Sequence, residues 1–136
     1  MSPIPGVNSG TLIGYAYTTL TEDPLDETRS SSQTSFLTLA QQQTPLIVYT
    51  HALANKIIFD ESKTARQVSV TVGGMDFVLN ATKEIIVSAG AFGSPQLLMV
   101  SGVGPASTLQ QHNISVIADR LGVGQNLQVG SQSVSK

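Results

Sequence analysis

The sequence predicts an α/β fold that carries a small antiparallel β-meander. Three stretches predict it. Residues 67–72 (QVSVTV) alternate polar and apolar side chains, the period of a half-buried strand, and the alternation resumes after Gly73-Gly74 in residues 75–79 (MDFVL). Residues 83–89 (KEIIVSA) instead hold a continuous β-branched run, Ile85-Ile86-Val87, as expected of a strand buried on both faces. A glycine turn then leads to Ser94-Pro95, a serine suited to cap a helix and a proline suited to its first position, where a missing N–H costs nothing.

The remaining elements follow in chain order. Residues 2–10, rich in Pro, Gly and Ser, read as an extended loop, and 12–17 (LIGYAY) as a short strand with Gly14 as its weak point. Residues 21–27 (TEDPLDE) form an acidic, turn-rich loop, in which Asp23, Asp26 and Glu27 are most simply solvated. Residues 30–41 predict a helix behind a serine cap, with Phe36, Leu37, Leu39 and Ala40 on one face, until Thr44 and Pro45 break it. Residues 46–50 (LIVYT) and 54–59 (ANKIIF) open the meander, which extends to Leu79 around a polar turn at 60–65. Leu97, Leu98 and Val100 fill the later helix, and Gly102 and Gly104 end it. Pro105 starts a further short helix that stops near Asn113; residues 114–117 (ISVI) predict a last strand and 121–128 a glycine loop. Residues 129–136 are polar and predict a disordered tail.

With 136 residues and 40% apolar side chains, the chain suits one domain with a core. Charged residues make up only 12%, against about 25% in an ordinary soluble domain, so part of the surface is expected to be covered by a partner chain or by other parts of the protein. The net charge of −2 and scattered Lys and Arg argue against a nucleic-acid partner. Absence of cysteine excludes disulfides and thiolate metal sites. No apolar run approaches the roughly 20 residues of a membrane helix. The opening MSPIPGVNSG has neither the basic nor the apolar part of a signal peptide, which leaves localisation open.

Residues 88–95 (SAGAFGSP) have the strand–glycine-turn–helix shape that brings backbone close to a phosphate or a flavin. The same shape also serves as a ligand-free connection. A full G-x-G-x-x-G fingerprint does not occur, and G-x-S-x-G is absent. His51 and His112 have no evident partner to orient them as a base. His112, near a helix end, suits the dipole there. No spacing of His, Asp and Glu suggests a metal site. Arg29 and the serines after it read as a helix cap rather than an anion site.

Gly90–Gly104 (GAFGSPQLLMVSGVG) closely resembles the second signature of the glucose-methanol-choline (GMC) oxidoreductase family. The neighbouring segments agree. Residues 29–37 (RSSSQTSFL) look like the segment before the family's FAD-adenine strand, 50–59 (THALANKIIF) like that strand, 83–90 like the strand entering the signature, and 123–128 like the loop after it. The resemblance runs from about Gly10 to Gln128 and is nearest to fungal aryl-alcohol-oxidase-like or secondary-metabolite members.

It implies that residues 1–128 are a partial FAD-binding domain and that the activity is FAD-dependent oxidation of a small-molecule alcohol. In that chemistry a base takes the hydroxyl proton and hydride passes to the flavin. By position, the backbone at Ala54 (or at Leu53, one residue away) would touch the adenine, and Ala89 and Gly90 would lie near the FAD ribose or diphosphate. The rest of the signature would pack a helix beneath the cofactor. The chain also departs from the family. It has no opening βαβ unit with dinucleotide glycines, and the family's catalytic histidine would fall beyond Lys136. Asn126-Leu127-Gln128-Val129-Gly130 replaces Asn-Leu-Gln-Asp-His, and Gln67 stands where a turn glycine is expected. These departures imply an incomplete chain with no catalytic residue, which alone neither binds FAD tightly nor oxidises alcohols. Alternatives are a non-redox member of cyclase or lyase type that keeps FAD as a structural group, and a non-catalytic remnant.

Overall fold

The structure, a computed structural model, describes residues 3, 10, 13–15 and 20–127. The strand expected at 12–17 falls largely outside them, although Tyr15 forms an isolated parallel bridge with Pro3. The expected tail at 129–136 also lies outside the described residues. The chain divides into two compact units, Met1–Val48 and Tyr49–Lys136.

In the first unit, a bridge between Glu22 and Arg29 closes the acidic loop. A reciprocal cap follows: Ser31 Oγ accepts the Thr34 N–H at 3.2 Å, and the Ser31 N–H donates to Thr34 Oγ1 at 2.9 Å. Beyond it lie a π-helical turn, Gln33–Leu37, and helix α1, Thr38–Gln43. Phe36 and Leu39, two members of the expected helical face, are exposed.

In the second unit, β1 (Ala52–Phe59), β2 (Ala65–Val72) and β3 (Met75–Asn80) form an antiparallel sheet in the order β1-β2-β3. Val70 sits at its centre, paired with Ala54 on one side and Phe77 on the other. Gly73 and Gly74 both take positive φ (59° and 82°), as the tight turn between β2 and β3 requires. The register between β1 and β2 passes from Ala54 to Lys56, which leaves Asn55 in a bulge. The strand expected at 46–50 does not form. Ile47 and Tyr49 are exposed, and His51, with φ 56°, turns the chain out of the extended region just before the ladder begins.

The expected strand at 83–89 is also corrected. It makes no ladder among the described residues, and Ile86 is 77% exposed rather than buried. A strand buried on both faces needs neighbours on both edges, and this one has neither there. Helix α2 spans Gly90–Val100, so it opens before Ser94, and Pro95 lies within it. Ser94 still satisfies a backbone donor, accepting the Ala89 N–H at 3.0 Å, but it does so from inside the helix.

After α2, β4 (Val103–Gly104) pairs in parallel with β5 (Ala118–Asp119), and α3 (Ala106–Gln111) connects them with Pro105 as its N-cap. The strand expected at 114–117 is displaced to 118–119. The Ile114 N–H is taken by the Leu109 carbonyl in closing α3, so pairing starts later. Ile57, Val70 and Leu109 are the buried apolar side chains among the described residues, and Ser101 is buried with them.

Candidate functional site

A cleft of about 550 Å³ separates β1 from α2. Ala52, Leu53, Ala54 and Asn55 form one wall; Ala89, Gly93, Gln96, Leu97 and Val100 form the other. Two of the sequence-derived site residues, Ala54 and Ala89, therefore line one cavity, as does Leu53, the alternative to Ala54. Gly90 is not in the lining. It stands beside Ala89 at the start of α2 with φ 85° and no atom within 4 Å of where a Cβ would project.

The local chemistry suits a flat ring laid against backbone. Ala52, Ala54, Ala89 and Gly93 contribute little side-chain bulk. Among the described residues strand β1 is the edge of its sheet, so one row of its amide and carbonyl groups has no ladder partner there. One of those amides is used within the chain: the Ile57 N–H donates to Ser101 Oγ at 2.8 Å. That bond pins the C-terminal end of α2 to β1, and the cleft opens beyond it. Ser101 was not singled out from the sequence; the one available signal was a lone hydroxyl at the end of an apolar run, just before Gly102.

A second cavity, of about 470 Å³, lies between α2 and the loop after β5 and is lined by Phe92, Pro95, Met99, Val123, Gly124 and Leu127 among others. Neither His51 nor His112 lines the first cleft. Among the described residues, no group of His, Asp and Glu could hold a metal ion, and no helix is long and apolar enough to cross a membrane.

A strand edge facing a glycine-opened helix across a cleft of small residues places the chain among α/β proteins with a concave site between strand and helix. The GMC oxidoreductase family model matches residues 15–131, and the chain belongs to that family. Glucose methanol choline oxidoreductase atC of Aspergillus terreus is 50% identical over 127 residues, which cover 93% of this chain and 21% of that protein. The patulin synthase of Aspergillus clavatus is 51% identical over 120 residues, 88% of this chain and 19% of that one. Among solved structures, an FAD-dependent oxidoreductase from Chaetomium thermophilum matches with a TM-score of 0.65 at 32% identity, over 70% of this chain and 17% of the other. The described residues thus form part of the family's FAD-binding architecture. The chain spans about a fifth of the length of the curated relatives it matches.

Proposed function

We propose that this chain forms the adenine-side wall of an FAD site in an oxidoreductase acting on CH–OH groups of small-molecule alcohols. One observation carries the reading: Ala54 and Ala89, far apart in sequence, line a single cleft. In this reading the backbone at Ala54 holds the adenine, with Leu53 the alternative by one residue. Ala89 and Gly90 adjoin the ribose or diphosphate, where the first N–H groups of α2 favour negative charge. The small side chains around the cleft fit a planar base. FAD, when bound, would accept the hydride; this chain's residues would bind and orient it, and none of them is assigned as the catalytic base.

Amide spectra of the 136-residue chain titrated with ADP test this reading. Leu53, Ala54, Ala89 and Gly90 should shift, with a dissociation constant of roughly millimolar order. FAD added to the chain should separate from it on gel filtration, leaving no flavin absorbance near about 450 nm in the protein peak. Shifts confined to other residues would overturn the cleft assignment. FAD that stays bound would show that this wall alone suffices to grip the cofactor.

A further inference from the structure

We infer that Asn55 reads the base held in this cleft and favours adenine over a 6-oxopurine. The inference rests on the reading that the cleft takes the adenine end of FAD.

The argument is one of proton direction. Asn55 occupies the bulge in β1 and lines the cleft beside Ala54. Its Nδ2 donates to Thr71 Oγ1 at 2.6 Å, and Thr71 Oγ1 donates to Asp76 Oδ1 at 2.5 Å. A carboxylate can only accept, so the single hydroxyl proton of Thr71 goes to Asp76. The Thr71 oxygen must then accept from Asn55, which fixes the NH₂ end of the amide towards Thr71. Turning the amide over would set Oδ1 against the Thr71 oxygen, two acceptors with no proton between them. Asn55 Oδ1 has no protein partner among the described residues and is not among the buried unpaired atoms. The open end of the amide is therefore a fixed pair: an acceptor, and the second Nδ2 hydrogen as donor.

Adenine presents the complement, an exocyclic amino donor beside a ring-nitrogen acceptor. Hypoxanthine presents O6, an acceptor, in place of the amino group. On its Watson–Crick edge the donor and acceptor are exchanged, so pairing requires the reversed amide that Thr71 and Asp76 forbid. Asn55 thus acts as a specificity residue because Thr71 and Asp76 hold its orientation.

The test compares ADP with inosine 5′-diphosphate on the full 136-residue chain, following the Ala54 and Ala89 amides. ADP should bind about tenfold more tightly. Asn55→Ala should weaken ADP to the level of the inosine nucleotide. Thr71→Val should release the amide, bringing the two affinities together through a gain for the inosine nucleotide while ADP changes little. Equal affinities in the unaltered chain would overturn the inference and leave the cleft reading standing, and so would a preference that survives Asn55→Ala. If neither nucleotide shifts the cleft amides, the cleft reading falls, and this inference with it.

Discussion

Ser101 joins helix α2 to strand β1: its Oγ accepts the Ile57 N–H at 2.8 Å and donates to the Leu97 carbonyl at 2.6 Å. Both hydrogen-bonding functions of the hydroxyl are used, in a side chain that is 1% exposed. Ser101→Ala would leave the Ile57 donor buried without a partner, a loss of about 1–3 kcal/mol. Thermal unfolding should show that loss, and the Ile57 amide should exchange faster with solvent. An unchanged melting temperature with Ile57 still protected would contradict the role given to Ser101.

The residue after Ser101 cannot carry a side chain. Gly102 has φ 91°, and a Cβ there would lie 2.6 Å from the Ser115 carbonyl oxygen and 2.7 Å from Ile117 Cγ1. The first of these is backbone and cannot swing aside. Gly102→Ala should therefore cost about 2–4 kcal/mol, combining left-handed strain with overpacking. Gly73→Ala is the comparison: its φ is also positive, at 59°, but nothing lies within 4 Å, so only the strain remains, about 1 kcal/mol. Equal losses in the two variants, measured by denaturant unfolding, would refute the steric part.

The meander was legible because alternation encodes a face locally. Strands predicted at 67–72 and 75–79 are found at Ala65–Val72 and Met75–Asn80, joined by the glycine pair that was expected to turn. The runs at 46–50 and 83–89 were misread for a shared reason: β-branched composition reports a tendency to be extended, whereas pairing depends on which other strands are available. The start of α2 was misplaced because Ser94 and Pro95 carry a helix-start pattern from inside the helix. Residue chemistry did not mark Ala54 or Ala89, which have only a methyl side chain; their backbone matters, and the family resemblance pointed to them. The Asn55–Thr71–Asp76 chain was illegible because it depends on the bulge that brings Asn55 across to β2.

Asp60 makes the turn between β1 and β2 sensitive to acid. The Ser62 hydroxyl, the Arg66 guanidinium and the Thr64 amide all hydrogen-bond its carboxylate and hold it far below the usual carboxylate range. Because the folded pKa is depressed, the stabilisation is fully present above the unfolded value of about 4. It is lost as pH falls from there through the folded value. The melting temperature of the native chain should therefore drop in acid below about pH 4. Asp60→Asn should have a lower melting temperature at neutral pH and a shallower fall in acid. Parallel profiles for the two proteins would exclude Asp60 as a source of the dependence.

Ile86 offers a test of what the misread strand leaves behind. It is 77% exposed in a run that forms no ladder among the described residues, flanked by the β-branched Ile85 and Val87. An exposed apolar segment whose backbone makes no ladder among the described residues is a template for pairing with another chain. Ile86→Lys places a charge on that segment without removing a buried contact, so stability should change by less than about 0.5 kcal/mol. Self-association should fall, seen as less light scattering at equal concentration and temperature. If the variant scatters as much as the native chain, association runs through another exposed surface, of which the Tyr49–Phe77–Leu79 face of the sheet is the next candidate. If it melts well below the native chain, Ile86 is packed in solution and the segment is not free.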